Sequence, residues 1–342
     1  MHNFDPDTRD DEIVSTRNLR KRFGDLEAVR GVDIDVRPGE IFGFLGPNGA
    51  GKTTTLRMLT TLLPIDEGTA TVAGFDVARE PARVRTRIGY VSQLGGSDEL
   101  ATAYENLVLQ GRLYGLAAAD VRRRADTLIE RFDLTTFAAR RVSTYSGGQR
   151  RRLDIALGLI HEPALLFLDE PSTGLDPQNR ASLWDHVRGL REHGTTVFMT
   201  THYLEEADVL CDRLAIIDQG KIVAAGSPQE LKRGVAGDVV LVTPRDGMRT
   251  DGLLTRLRAE PYVREAGVDG GDLRLYVTNG GQALPHVLRL IDREGVQVSS
   301  MRLSEPTLDD VFLRQTGRSL RDTGGGTGAP DPDHKGATEA LA

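Results

Sequence analysis

The run Gly46-Pro47-Asn48-Gly49-Ala50-Gly51-Lys52-Thr53-Thr54 constrains this chain more than any other stretch. It fits G-x-x-x-x-G-K-[ST], a loop whose backbone amides wrap a phosphate. An ordinary glycine-rich turn can match such a pattern by chance, so the flanks decide. Upstream, Glu40-Ile41-Phe42-Gly43-Phe44-Leu45 is an apolar run entered through Pro38-Gly39 and reads as a buried strand. Downstream, Thr53 to Leu63 carries Leu56, Leu59 and Leu63 at helical spacing and stops at Pro64. Strand, glycine loop and helix come in the order the chemistry needs. Glycines let N–H groups converge on an anion, and the helix N-terminus adds the positive end of its dipole. Lys52 supplies a point charge for the outer phosphates, and the Thr53 hydroxyl is a ligand for Mg²⁺. The stretch implies a bound nucleoside triphosphate.

A length of 342 residues suggests about two domains, each able to bury its own core. A charged fraction of 27% and a hydrophobic fraction of 39% fit a soluble globular chain. No apolar run approaches the ~18 residues of a membrane span, and nothing resembles a signal peptide. Work at a membrane is therefore expected to go through a partner. The formal net charge of −7 argues against bulk affinity for nucleic acid, and none is expected as a partner. The single cysteine, Cys211, leaves no internal disulfide and reads as a small packing residue in a reducing compartment.

Residues 1–11 are polar and acidic without periodicity and read as a disordered tail. From Ile13 the pattern is β, with short strands at 13–16, 26–29 and 32–36 feeding the phosphate loop. Further strands are expected at 68–74 and 87–93, the latter ending on Gln93. A helical insert follows, about Ala103 to Leu134. Leu107, Leu109, Leu113, Val121, Leu128, Ile129 and Phe132 supply its apolar faces, and Gly115 breaks it. Then come helix 147–160, strand 164–168, helix 178–193, strand 195–200, helix 203–211 and strand 213–218. Apolar strands alternating with helices indicate a parallel sheet covered on both faces. Beyond Gly237 the order is strand 238–243, helix 248–260, strands 263–268 and 272–278, helix 281–294 and strand 296–303. That βαββαβ order is the ferredoxin-like signature. An amphipathic segment, Leu308-Asp309-Asp310-Val311-Phe312-Leu313, closes it, and residues 318–342 read as a second disordered tail.

Two further constellations carry chemistry. Leu165-Leu166-Phe167-Leu168 ends in Asp169-Glu170. An acidic turn closing a buried strand is the plain reading. Beside a phosphate loop, Asp169 is instead placed to hold Mg²⁺ through its water shell, and Glu170 to serve as general base. Tyr145-Ser146-Gly147-Gly148-Gln149 opens a helix, which makes it a second anion site. Arg150, Arg151 and Arg152 follow in the first turn, where they oppose the dipole; Arg151 and Arg152 read as solvated.

At these residues the chain resembles the ATP-binding subunits of ATP-binding cassette (ABC) transporters, over about Ile13 to Leu231. The resemblance implies an α/β P-loop NTPase cassette over residues 12–234. Its parts are a mainly parallel sheet core, an antiparallel β subdomain and an α-helical subdomain with its insert at about 94–145. A small C-terminal α+β ferredoxin-like domain follows at 238–317. Ser146, Gly147, Gly148 and Gln149 look like the family's signature loop, which faces the γ-phosphate held by the P-loop of the opposite subunit. Gln93 matches the glutamine that contacts Mg²⁺ and couples to the membrane subunit. Asp176, in Ser172-Thr173-Gly174-Leu175-Asp176, is similar to the aspartate of the loop that crosses the dimer interface. His202 matches the switch histidine that touches the γ-phosphate, whereas the six other histidines read as structural. Phe23 matches the aromatic that stacks on adenine. Tyr145 stands where leucine is commoner, and Phe23 where tyrosine is; neither departure removes a ligand group.

The implied activity is ATP hydrolysis with ATP and Mg²⁺, by a homodimer that forms on ATP binding at the cytoplasmic face of a membrane. The C-terminal unit, and Thr60-Thr61-Leu62-Leu63-Pro64 leading into Gly68-Thr69-Ala70, resemble the daunorubicin/doxorubicin-resistance type of export ATPase. The implied partner is an ABC-2 type permease, and the implied cargo a hydrophobic drug or antibiotic. Lipid or polysaccharide export is the alternative within transport. ABC ATPases that never meet a membrane usually pair two cassettes or carry a long coiled coil, and this chain has neither. The C-terminal domain lacks a catalytic cluster and is expected to regulate or stabilise the cassette dimer.

Overall fold

A computed structural model describes residues 12–234, 237–245, 251–269 and 271–318. The two expected tails lie outside these residues, except that Arg318 reaches Asp218 at 2.7 Å.

The chain begins with a hairpin, β1 (Val14–Phe23) and β2 (Leu26–Val36). The second strand is continuous where alternation in the sequence suggests two pieces. The break is absorbed by bulges in the pairing and by positive φ at Asn18 and Gly31. Next come β3 (Ile41–Leu45), α1 (Lys52–Leu59), β4 (Glu67–Val72) and β5 (Phe75–Asp76). The first sheet has the order β2-β1-β4-β5 and is antiparallel throughout.

α2 (Pro81–Arg87) and β6 (Ile88–Val91) lead to the insert, α3 (Ala103–Leu113) and α4 (Ala118–Arg131). The chain returns through α5 (Gly147–Leu159), β7 (Leu165–Asp169), α6 (Pro177–Glu192), β8 (Thr196–Thr201), α7 (Leu204–Leu210) and β9 (Arg213–Asp218). β10 (Lys221–Gly226) and α8 (Pro228–Gly234) complete this half. The main sheet runs β10-β9-β3-β8-β7-β6, parallel except for the antiparallel edge strand β10. Its central strands β3, β7 and β8 are buried at every position, as near-continuous apolar runs demand. Phe198 of β8 packs on Phe42, Phe44 and Phe167 with ring centroids 5.3–5.9 Å apart. Burying each such ring contributes roughly 1.5–3 kcal/mol to the platform under the phosphate loop.

In the insert, Thr102 and Glu105 form a capping box that starts α3, and Gly115 in the left-handed region ends it. Leu107, Val121, Leu128, Ile129 and Phe132 are buried as expected. Leu109 and Leu113 are not; they stand 57% and 73% exposed on the outer side.

The C-terminal unit comprises β11 (Asp238–Pro244), α9 (Asp251–Arg258), β12 (Val263–Asp269), β13 (Asp272–Val277), α10 (Gly280–Arg293) and β14 (Val298–Ser304). Its sheet order β12-β13-β11-β14 is the antiparallel ferredoxin-like arrangement. Val240, Val242, Leu273, Leu275 and Val277 face Leu253, Leu257, Val287 and Ile291 of its two helices. The closing helix α11 (Leu308–Thr316) turns back, and Leu308, Val311 and Phe312 join the core of the first half. A capping box ties Asp310 to Thr307, and the same carboxylate accepts from Tyr276 at 2.9 Å.

Candidate functional site

Leu45 ends β3, and the chain enters residues 46–54 against β9. A side chain at Gly46 would meet the Ile217 carbonyl oxygen at 2.3 Å, so the backbone needs glycine there. Gly51, at φ +103°, turns the chain into α1 and leaves no room for a Cβ beside the Ala28 carbonyl. Pro47, Ala50, Gly51 and Lys52 are buried, Asn48 and Gly49 are exposed, and Thr53 and Thr54 are half-buried at the helix start.

Lys52 lies across the loop. Its ammonium donates to the carbonyls of Gly46 (2.8 Å) and Pro47 (3.1 Å) and pairs with Glu170 Oε1 at 3.1 Å. Burial lowers the Lys52 pKa, and the Glu170 charge opposes that effect without cancelling it.

The two carboxylates after β7 point to different partners. Asp169 Oδ1 accepts from Thr200 (2.6 Å) and from the Thr53 hydroxyl (3.2 Å). Burial raises its pKa despite those two hydrogen bonds. Glu170 has φ +43°, a left-handed conformation that costs a non-glycine residue about 1–3 kcal/mol. That turn aims its carboxylate at Lys52, His202, Gln93 and Thr173. Burial alone would raise its pKa. The His202 hydrogen bond and the Lys52 charge outweigh burial and hold it at about 2. An ionised carboxylate only accepts, so His202 Nδ1, 3.0 Å away, carries the ring proton of that bond.

Gln93 lies two residues past β6, exposed, with its amide 3.5 Å from Glu170 Oε2. It faces Glu170 rather than the Thr53–Asp169 pair. Those two groups offer only oxygen, the donor a small hard cation prefers, and a cation retaining several waters needs few protein ligands. They fit Mg²⁺. Phe23 ends β1 half-buried, with the Lys21 ammonium 5.6 Å from its ring centre.

The signature-like loop is built differently. Ser146 caps α5 with the full box: its hydroxyl accepts from the Gln149 amide, and the Gln149 side chain accepts from the Ser146 amide. The box gives Ser146 and Gln149 a structural role within their own turn. Gly148 is held against Asn179, where a Cβ would come within 2.4 Å of the side-chain oxygen. Gly147 is exposed, and a Cβ there would meet nothing nearer than Leu175 at 3.9 Å. No contact inside the chain asks for glycine at 147. Asp176 is exposed and caps α6 through Asn179, accepting from its amide (2.8 Å) and its side chain (2.6 Å). Asn179 therefore joins the signature-like loop to the Asp176 loop.

Two arginines are corrected. Arg151 is not solvated; it is 7% exposed and donates to the carbonyls of Pro171 (2.8 Å), Ser92 (2.6 Å) and Asp169 (3.0 Å). It fastens the segments carrying Asp169, Gln93 and the Asp176 loop to α5. Three residues on, buried Asp154 accepts from the amides of Gly96 and Ser97, holding the chain after Gln93. The available signal was its place on the stripe Gly148-Arg151-Ile155, the inward face of the helix. Arg152 is also covered, donating to the Phe132 carbonyl and lying over the Phe137 ring.

Among known proteins, residues 29–173 match the ABC transporter family model. Residues 226–316 match the C-terminal domain of ATP-binding proteins like DrrA1-3. The chain is similar to the daunorubicin resistance ATP-binding protein DrrA2 of Streptomyces coeruleorubidus, with 46% identity covering 92% of this chain and 98% of the relative. It is similar also to the daunorubicin/doxorubicin resistance ATP-binding protein DrrA of Streptomyces peucetius, with 44% identity over 92% and 96%. The chain is similar also to the solved dimeric post-hydrolysis state of the ATP-binding cassette MJ0796 bound to ADP and Pi. There the TM-score is 0.57 at 26% identity, covering 63% of this chain and 98% of that one.

Proposed function

The chain belongs to the ATP-binding subunits of ABC transporters, and from that premise we propose that two copies close on two ATP molecules and power export of a hydrophobic drug or antibiotic through a separate ABC-2 type permease. The observation that carries the dimer is the inequality of the two anion sites. Lys52, Glu170 and His202 contact one another, and Thr53 and Asp169 join them through Thr200, whose hydroxyl donates to Asp169 and accepts from the Glu170 amide. Ser146 and Gly147 stand open, with Gly147 free of any steric need inside its own chain. A γ-phosphate held by one copy's Lys52 is completed by the other copy's open loop.

Within each site, loop amides and Lys52 hold the outer phosphates, drawing the ammonium from the Gly46 and Pro47 carbonyls. Thr53 and Asp169 would hold Mg²⁺, which would neutralise phosphate charge when bound. Glu170 accepts a proton from the attacking water as the water oxygen bonds to the γ-phosphorus and the bond to ADP breaks. His202 keeps Glu170 aimed. Weakening of the Lys52–Glu170 pair by phosphate removes one of the causes that hold Glu170 near 2, making it a better base.

The cargo reading rests on relatives named for daunorubicin and doxorubicin resistance, together with the matching C-terminal domain. No helix among the described residues is long and apolar enough to cross a membrane. Leu94, Leu100, Leu109 and Leu113 are 57–92% exposed on and before the insert, an apolar surface suited to a membrane subunit at the cytoplasmic face.

The purified chain with Glu170→Gln, given ATP and Mg²⁺, should run as a dimer on size exclusion and hydrolyse at least about a hundredfold more slowly. Adding Ser146→Arg should return it to a monomer that still binds ATP. Hydrolysis at the parent rate by Glu170→Gln would remove Glu170 as the base. Equal loss of monomer ATP affinity in Ser146→Arg would remove the second copy from the site.

A further inference from the structure

The loop that carries Asp176 and the segment that carries His202 are joined inside the chain at two points. The first is buried. Glu206 of α7 has no exposed surface, and its Oε1 accepts from Ser172 at 2.5 Å and from the Trp184 indole at 3.1 Å. Ser172 begins the exposed loop, and Trp184 lies on the helix that Asp176 caps. The second point is nearer the chemistry. The Arg180 guanidinium sits 4.4 Å from the centre of the Tyr203 ring, and that ring lies 4.1 Å from the His202 ring. Arg180 also donates to the Leu175 carbonyl, at the long limit of 3.5 Å. Its Nε is buried without a hydrogen-bond partner among the described residues. The group is placed by its stack on the Tyr203 ring, a contact that favours a cation over a ring face, together with the Leu175 carbonyl and the nearby Glu206 carboxyl. The line runs unbroken: exposed loop, Arg180, Tyr203, His202, Glu170.

We propose that Arg180 and Tyr203, with the Ser172–Glu206 bond beneath them, are positioning residues that carry contact at the Asp176 loop to the His202–Glu170 pair. This rests on the dimer reading above, in which a second copy reaches that loop. Gly174 and Asp176 are exposed and present the loop to a partner surface. A shift of the loop reaches His202 through the Arg180–Tyr203 contact and, beneath it, through the Ser172–Glu206 bond. A displacement of a fraction of an ångström at His202 moves the hydrogen bond that aims Glu170, and such misplacement is costly to a chemical step. Each copy would thereby hydrolyse efficiently only once its loop is seated.

The test uses the full chain, with Tyr203→Leu and Arg180→Met as disrupting variants and Tyr203→Phe and Arg180→Lys as conservative ones. Tyr203→Leu and Arg180→Met should each lower kcat about tenfold while leaving KM for ATP within about twofold. Placed in the Glu170→Gln background, both should still give the ATP-bound dimer on size exclusion. Tyr203→Phe and Arg180→Lys should recover most of the rate, because the ring and the cation remain. The proposal is overturned if Tyr203→Leu works at the parent kcat, if Tyr203→Phe is as slow as Tyr203→Leu, or if the slow variants lose the dimer in step with kcat. Arg180 is partly exposed, so its substitution reads the coupling even if Tyr203→Leu unfolds. Absence of a dimer in the unaltered Glu170→Gln chain would instead remove the premise, and the coupling with it.

Discussion

Residues 46–54 and residues 146–149 both bring glycines to the start of a helix, yet the chain treats them in opposite ways. At the first, a buried lysine, two carboxylates, a histidine and two threonines contact one another within hydrogen-bonding distance. At the second, a serine and a glutamine satisfy each other and the remaining surface faces outward. The first half concentrates charge where little water reaches, so each group changes the proton affinity of its neighbours. The second half places no charge within its four residues, and the capping box already satisfies its Ser146 and Gln149 amides. On the proposed dimer reading, a half-site completed by a second copy has to stay open and yet be rigid, and the capping box supplies the rigidity.

The sharpest way to break the contrast is Lys52→Ala. It removes the ammonium that pairs with Glu170, and hydrolysis should fall at least about a hundredfold, read as phosphate release at saturating ATP. A second experiment probes what keeps the open half in register. Arg151→Met should cost about 3 kcal/mol in urea unfolding, because it strips charge-assisted bonds from two buried carbonyls and one half-buried one. The neighbouring Arg150, paired with Glu99 near the surface at 2.5 Å, should cost under about 1 kcal/mol when changed to Met. Equal costs for the two would show that the buried anchor is not what holds α5 to the sheet.

The smallest expected effect separates two buried carboxylates by pH. Burial raises Glu206 above its ordinary 4.5, although Ser172 and Trp184 donate to it. The folded chain therefore keeps that proton in a range where the unfolded chain has lost it, and stability falls as pH rises from 4.5 through the raised value. Glu170, held at about 2, acts in reverse: its contribution is complete above 4.5 and is lost as pH falls through about 2. Glu206→Gln keeps an acceptor for Ser172 and Trp184 and removes the charge. Thermal melts of that variant should show a flatter decline as pH rises above 4.5 than the parent. An unchanged slope would assign the decline to other groups.

Much of this was legible in the chain itself. Alternation of apolar strands with 3.6-periodic helices marked the parallel sheet, and βαββαβ order marked the second domain, because those periods are local. The P-loop, the Asp169-Glu170 pair and the Ser146 turn are likewise contiguous runs with local geometry. The tertiary structure alone decided the rest. Arg151 looked solvated because its three acceptors come from elsewhere in the chain, 18 to 59 residues away. Leu109 and Leu113 looked like core because periodicity identifies an apolar face without saying what covers it. The left-handed turn at Glu170, the bridge from Asn179 to both exposed loops, and the stack of Arg180 on Tyr203 beside His202 follow the same rule. Each depends on packing between segments far apart in sequence, and no local pattern encodes a distance of that kind.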